Sequence, residues 1–456
     1  MRKVYLLLAL FFVTKIMLAV TAYPGLINFI QPDGTAISIF LKGDEKVKWA
    51  ETVDGYSIMF NSNGYYEYAI KTVDGDMVPS GIIAKNVSER SSSDLVFLET
   101  VDKNIRYSST QVSMMRQIWD IYQKDLTEAF PTTGNRKLVC ILIGFTDRAF
   151  VKTRMDFNNL FNQVGYTTDG ATGSVKDFFL EASYNQFNLT VTVAGPYTAS
   201  NTMAYYGGND ANGDDLRPRE LVAEAVTLAD PDVNYADFDN DADGSVDGVY
   251  VIYAGYDESA GGPANAIWAH AWQLLTPLSK DGKTISKYSC SSELRGVSGT
   301  GISRIGVICH EFGHVLGAPD YYDTDYTTNG EFLGTGMWDL QADGSWNGAT
   351  GNGETPSHPN AYTKIYTYNW ASVNLLTQPS DVTLYNSTQN ATSFYRVNTA
   401  TNNEFFLFEN RQKIGFDAYV PGHGMIIYHV HASIASPINN AHPQEMYPIC
   451  ASATLQ

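Results

Sequence analysis

Over residues 23–130, short apolar runs alternate with turns rich in Gly and Asp. Runs such as Ile37-Ser38-Ile39-Phe40-Leu41 and Tyr65-Tyr66-Glu67-Tyr68-Ala69-Ile70 predict β-hairpins. A polar, Ser-rich run follows from Asn86 to Asp94, and Val112–Phe130 reads as a helical or extended connector. From Arg136 the texture changes. Lys137–Phe145 (KLVCILIGF) is a continuous apolar run of buried-strand length, followed by helical spacing over Met155–Gln163 and Ser174–Asn185. Leu189–Val193 and Gly248–Ala254 predict further strands, with a helix at Pro218–Ala229 between them. Ile305, Ile308, Phe312, Val315 and Leu316 then recur at helical spacing, and Ala361–Trp370 predicts another helix. The last stretch is β-patterned again, with strands expected at Ser393–Val397, Glu404–Glu409 and Gly424–Val430. The fold class expected is α+β or mixed α/β.

The chemistry concentrates in the helix that begins near Ile305. It carries His310-Glu311-Phe312-Gly313-His314, and at about 100° per residue the two histidines lie roughly 40° apart on one face, one turn above the other. That spacing suits two imidazoles on one metal ion. Glu311 also points to the metal side, where a carboxylate can hold and deprotonate a water without being a ligand. Gly317 stands where a helix can end in a left-handed residue, and Pro319 forbids further helix. The chain turned back there brings Asp320 in as a third ligand and leaves the fourth tetrahedral position for water, as in a catalytic zinc site. The pattern is HExxHxxGxxD. Cys309 points about 100° away from His310 and is read as a small buried hydrophobe.

HEFGHVLGAPDYYD (His310–Asp323), followed by GTGMWDLQADGSWNG (Gly334–Gly348), resembles the secreted bacterial zinc peptidases of the immune inhibitor A family. Members carry HExxHxxGxPDxYD and then a WDLM-type segment. QPDGT (Gln31–Thr35), TVDGYSIMFNSNGYYEYA (Thr52–Ala69), GSVKDFFLEASYNQF (Gly173–Phe187), IWAHAW (Ile267–Trp272), EFFLFENRQ and DAYVPGHGMIIYHVH resemble the same family in the same order. The resemblance implies a metzincin-like zinc endopeptidase: a zincin-like catalytic domain at 131–380, preceded by a β-rich N-terminal pro-segment at 23–130. A β-rich C-terminal region at 381–456 follows and is expected to be incomplete, because relatives generally continue further. Gln341 holds the place where the family usually has methionine, so Met337 is the methionine available for a turn beneath the metal.

At the N-terminus, Arg2 and Lys3 precede the apolar run Val4–Val13, and Val20-Thr21-Ala22 has the small-residue pattern of a cleavage site. A signal peptide over 1–22, cut after Ala22, is expected, and Lys15 interrupts the run before it is long enough to span a bilayer. Composition strengthens the picture of an exported globular protein with no membrane anchor. The formal net charge is −19, and loss of Arg2, Lys3 and Lys15 makes it −22, a surface unsuited to nucleic acid or anionic lipid. Hydrophobic residues make up 44%, enough for real cores without a disulfide scaffold, and the spacing of Cys140, Cys290, Cys309 and Cys450 matches no zinc ribbon. An open zinc position needs a cover until export, which an N-terminal segment acting as intramolecular inhibitor provides. Residues 1–139 contain no cysteine, so a thiolate cannot be the latch; a carboxylate or steric cover remains.

A second metal signal lies in DFDNDADGSVD. Asp239, Asp241 and Asp243 alternate, Gly244 takes the sharp turn, and Asp247 stands at loop position 9, as in an oxygen-ligand Ca²⁺ loop; position 12 is Tyr250, not Glu. A structural Ca²⁺ is expected there. His270 is read as structural or substrate-facing. His429 and His431, two apart on a strand, have a spacing that permits chelation but are read as solvent-facing or hydrogen-bonded, and a tyrosine of the Tyr321–Trp346 stretch is a candidate oxyanion donor. The expected function is that of a secreted, zinc-dependent endopeptidase made as a zymogen and acting on protein or peptide substrates. His310, His314 and Asp320 hold zinc and Glu311 is the general base. The rival is an exported, metal-containing binding or adhesion protein without turnover.

Overall fold

A computed structural model describes residues 20–61, 63–121, 130–210, 213–324, 326, 333–431 and 444–449. Residues 1–19 of the expected signal, 122–129 of the connector, and Cys450 lie outside the described residues. Three sheets form among the described residues. The first is an antiparallel meander of β1 (Ile27–Ile30), β2 (Ala36–Gly43), β3 (Lys48–Thr52), β4 (Ser57–Phe60), β5 (Tyr66–Lys71) and β6 (Met77–Ile83) in sequential order. Helices α1 (Ser92–Leu98) and α2 (Ser109–Ile121) follow it.

The central sheet contains β7 (Gly134–Gly144), β8 (Phe187–Thr198), β9 (Ser245–Val246), β10 (Val249–Tyr256), β11 (His270–Lys280) and β12 (Lys283–Leu294). Its order is β11-β12-β10-β7-β8, with β9 beside β12. Every pairing is parallel except β11 with β12, so β11 is an antiparallel edge. The continuous apolar run of β7 follows from burial on both faces. Leu138, Cys140 and Leu142 enter one core with α3 (Arg154–Asn162), α4 (Val175–Ala182) and α7 (Ile305–Val315), whereas Val139, Ile141 and Ile143 enter the other with α6 (Pro218–Ala229). Capping boxes start α3 (Thr153 with Asp156) and α4 (Ser174 with Asp177). A short helix α5 (Met203–Gly207) precedes α6.

The third sheet is β13 (Val373–Leu375), β14 (Phe394–Asn398), β15 (Glu404–Arg411), β16 (Gly424–His431) and β17 (Met446–Pro448), in sequential order. The helix expected over Ala361–Trp370 is a five-residue π-turn, Thr363–Thr367, closed by Tyr368 N–H donating to the Thr363 carbonyl at 2.8 Å. Cys140, Cys290 and Cys309 are buried and unpaired. No helix among the described residues is long and apolar enough to cross a membrane.

Candidate active site

Every residue of helix α7 but Val307 is buried, with Ile308 and Phe312 in the core and His310, Glu311 and His314 on the side that meets the cleft. Its end follows from Gly317, which adopts φ +103°; Gly317 N–H donates to the His314 carbonyl at 2.8 Å and Ala318 N–H to the Gly313 carbonyl at 3.1 Å. These two bonds are the Schellman pair, and they fold the chain back so that Asp320 returns to the histidines. His310 Nε2 and His314 Nε2 stand 2.9 Å apart, and Asp320 Oδ1 lies 3.3 Å from the first and 3.5 Å from the second. Zinc bonds of 2.0–2.1 Å at a tetrahedral centre place ligand atoms about 3.3 Å apart, so this triangle has the right size.

The donor chemistry also fits a cation. His310 Nδ1–H donates to the Leu340 carbonyl at 2.7 Å and His314 Nδ1–H to the Ala318 carbonyl at 2.8 Å. A carbonyl can only accept, so both Nε2 atoms present lone pairs to one another and to the Asp320 carboxylate. Neither Asp320 oxygen finds a hydrogen-bond donor among the described residues. Burial, then the charge of His310, keeps His314 well below its ordinary pKa. Burial likewise pushes Asp320 up to about 6, against the lowering pull of His310, and Glu311 well above the carboxylate range. Three inward electron-pair donors with a buried carboxyl beside them make this cluster a candidate site for a divalent metal.

Gln341 corrects the reading of the methionine turn. Its side chain is fully buried beneath the histidines, with Nε2 donating to the His310 carbonyl at 3.2 Å. Met337 sits on a 3₁₀ turn, Gly336–Trp338, that turns it outward, and it is 47% exposed. Gly313 leaves the room that Gln341 needs, because a Cβ there would overlap its amide oxygen. His270 is structural in its contacts: Nδ1 meets the Trp268 carbonyl at 2.7 Å and Nε2 the Tyr288 hydroxyl at 2.8 Å. Tyr322 and Tyr326 are both buried near the site.

The cleft is filled by the N-terminal part of the chain, which the sequence did not locate. Val20 N–H donates to Glu311 Oε1 at 2.9 Å. Two indoles hold the same segment: Trp268 Nε1–H donates to the Val20 carbonyl and Trp346 Nε1–H to the Thr21 carbonyl, both at 3.1 Å. Ala22 N–H donates to the Gly43 carbonyl at 2.8 Å, joining this segment to the loop Gly43–Val47. In that loop Asp44 Oδ1 accepts from the backbone of Lys46 (2.9 Å) and Val47 (3.0 Å), and Asp44, Glu45 and Lys46 are all buried. Lys46 Nζ lies 3.2 Å from Glu45 Oε1. Burial pushes Glu45 up to about 8, helped by the nearby Asp44 and Asp320 carboxylates and opposed by Lys46. On the next strand, Trp49 packs with Val47, Tyr322, Tyr326 and Ala342 in one apolar cluster, and Lys48 Nζ meets Glu258 Oε2 at 2.5 Å.

The acidic loop is brought together only in part. Carboxylate oxygens of Asp239, Asp241 and Asp243 gather within 4.8 Å of one another. Lys283 Nζ pairs with Asp239 Oδ2 at 2.6 Å, and Asp247 Oδ2 instead accepts from the Asn240 backbone at 2.6 Å.

A mixed sheet with an antiparallel edge, packed on a helix that carries HExxH and returns an aspartate to it, is the architecture of a metallopeptidase catalytic domain. Comparison with known proteins agrees. The family described as immune inhibitor A peptidase M6, catalytic domain, matches residues 135–374, and the chain belongs to that family. It is similar to the pre-pro-metalloprotease PrtV of Vibrio cholerae serotype O1, at 32% identity over 271 residues that cover 51% of this chain and 29% of that protein. It is also similar to immune inhibitor A of Bacillus thuringiensis subsp. alesti, at 30% identity over 227 residues, 43% of this chain and 33% of that protein. The matches thus span about a third or less of these relatives.

Proposed function

We propose that this chain is an exported, zinc-dependent endopeptidase held latent by its own N-terminal pro-segment, residues 23–130. The observation that carries the reading is the triangle of His310 Nε2, His314 Nε2 and Asp320 Oδ1, closed by distances of 2.9–3.5 Å beside the buried Glu311 carboxylate. Zinc held by these three side chains supplies Lewis acidity that activates water and polarises a scissile carbonyl. Glu311 takes the proton of the attacking water and passes it to the leaving amine. Leu340 and Ala318 keep both imidazoles in the tautomer that ligation needs, and Gln341 supports them from beneath.

Latency is supported by the segment that lies where a substrate must lie. Before the leader is cut, Val20 N–H engages the proposed base itself, and Trp268 and Trp346 grip the backbone of Val20 and Thr21 as they would an extended peptide. After the cut, the buried loop Asp44–Lys46 and Trp49, packed with Tyr322 and Tyr326, keep the cover in place. A steric cover of backbone and buried side chains explains how a chain with no cysteine before Cys140 is kept inactive. Export by a signal over 1–22 and a structural Ca²⁺ at Asp239, Asp241 and Asp243, with Asp247 bracing the loop, belong to the same proposal. Calcium there must displace Lys283 from Asp239, so a calcium-dependent rise in melting temperature that Asp241→Asn abolishes is expected.

The test of the main reading is Glu311→Ala. The variant is expected to bind about one zinc at the proposed catalytic site while casein or peptide hydrolysis falls by at least three orders of magnitude, as loss of an essential base requires. Residual proteolysis within tenfold of wild type would sink the assignment. A folded, zinc-loaded protein freed of its residues up to 130 that cuts no internal peptide bond would favour the binding-protein reading instead.

A further inference from the structure

Glu404, His429 and His431 of the C-terminal sheet are not related as the alternation along β16 alone suggests. In the β15–β16 register Glu404 stands opposite His431 and Phe406 opposite His429, so Glu404 and both imidazoles share one face of the sheet. Glu404 Oε1 lies 2.7 Å from His429 Nε2 and 3.9 Å from His431 Nε2, and the three ligand atoms fall within 4.8 Å of one another. The two rings are 4.1 Å apart, and the side chains are only 15–17% accessible.

We propose that Glu404, His429 and His431 form a second metal site, for a divalent ion of the zinc class. The catalytic triangle is an internal yardstick: its edges of 2.9–3.5 Å fall within the range that the Glu404 contacts bracket at 2.7 and 3.9 Å. A tetrahedral ion needs edges near 3.3 Å, which a small rotation of the Glu404 carboxylate toward His431 supplies. Each group around the cluster is already oriented for the task. Tyr447 OH, on β17, lies 2.9 Å from His429 Nδ1 and leaves Nε2 for the ion. Thr399 Oγ1 donates to Glu404 Oε2 at 3.1 Å, holding the carboxylate. Phe406 stacks on the His429 ring at 4.8 Å. His431 Nε2 is buried and has no hydrogen-bond partner among the described residues. An ion answers that orphan, and nothing else described does. Two imidazole nitrogens and one carboxylate oxygen select zinc over calcium, which takes oxygen ligands. The ion clips β15 to β16 and, through Tyr447, to β17, far along the chain from α7.

The test is zinc stoichiometry and affinity of the full chain in excess calcium, by elemental analysis and calorimetry. His310→Ala/His314→Ala removes the proposed catalytic site and is expected to retain one tightly bound zinc that raises its melting temperature. Adding His431→Gln, which spares the 2.7 Å Glu404–His429 contact, is expected to weaken that zinc at least tenfold without changing the metal-free melting temperature. Cobalt substituted into the double variant should show tetrahedral d–d absorption that His431→Gln removes. A double variant that binds no zinc, or one whose zinc is untouched by both His431→Gln and Glu404→Gln, overturns the proposal. Neither result bears on the reading of His310, His314 and Asp320, which the otherwise unaltered chain and Glu311→Ala report separately.

Discussion

Trp49 offers the sharpest test of latency, because it anchors the N-terminal sheet on the cleft without touching the metal triangle. It is 5% exposed, meets Tyr326 edge-on at 5.5 Å and Tyr107 at 6.2 Å, and carries the Arg106 guanidinium 4.9 Å above its ring. Truncating a buried tryptophan to alanine costs ~3–5 kcal/mol. Tyr107 and Arg106 belong to the same N-terminal segment as Trp49, so the part acting across the cleft, chiefly with Tyr322, Tyr326 and Ala342, is about 3 kcal/mol at most. At 1.4 kcal/mol per factor of ten, this opens the cleft about a hundredfold more often. Cleavage of an internally quenched peptide by the unprocessed chain should therefore rise about a hundredfold in kcat/KM for Trp49→Ala, and by less than tenfold for Trp49→Phe. The same gain must vanish when Glu311→Ala is added. A Trp49→Ala chain that is folded and zinc-loaded, yet cuts no faster than wild type, refutes the argument that this sheet is what closes the cleft.

Three further outcomes follow from the geometry. Gly306, in the first turn of α7, faces the Ser345 carbonyl so closely that a Cβ would overlap it, so Gly306→Ala should lower unfolding stability by about 3 kcal/mol or more in denaturant titration and weaken zinc binding with it. His270 is fully buried, and burial, opposed by its bond to the Trp268 carbonyl, holds its pKa down at about 4. A depressed folded value means that stability is present above the unfolded pKa near 6.5 and is lost as pH falls through 4, by up to about 3 kcal/mol; His270→Gln should flatten that slope in denaturant titrations between pH 7 and pH 4. A chain beginning at Tyr23 loses the Val20 contact to Glu311 but keeps the buried loop Asp44–Lys46 and Trp49, and should stay about a hundredfold or more less active than one beginning near Arg136.

The active-site helix was legible because everything that defines it is contiguous. Helical spacing, the HExxH triplet, Gly317 as terminator and Asp320 as returning ligand occupy one short stretch, and each acts through local geometry. The strands of apolar runs were legible for the same reason, and β2, β5, β7, β8, β10 and β14–β16 lie where the runs predict them. The long hairpin β11–β12 was not read, although Asp281-Gly282 at its tip is a strong turn signal; both residues adopt positive φ, +49° and +75°. Its strands carry so many Ser and Lys residues that the apolar pattern is weak. Gln341 and the Leu340 carbonyl reach the histidines from about thirty residues away, and the docking of Val20–Ala22 joins positions 291 residues apart. No local pattern encodes such contacts; they depend on how whole sheets pack. Glu404 joined His429 and His431 only through strand register, which a single strand's alternation cannot reveal.

The threading of Val20–Ala22 beneath two indoles sets a condition on the cleavage proposed after Ala22. Ala22 is 6% exposed, the Thr21 carbonyl is held by Trp346, and Tyr23 N–H is bonded to the Ser259 carbonyl, so the Ala22–Tyr23 bond lies within a packed interface. Proteases reach exposed, mobile backbone, not a segment fastened on both sides. If a leader peptidase cuts after Ala22, as proposed, it must finish while the chain is still extended, before the cleft has assembled around it, and the contacts of Val20–Ala22 then belong to the uncut chain alone. Should folding win that race, the leader becomes a permanent tether that the cutting enzyme can no longer reach.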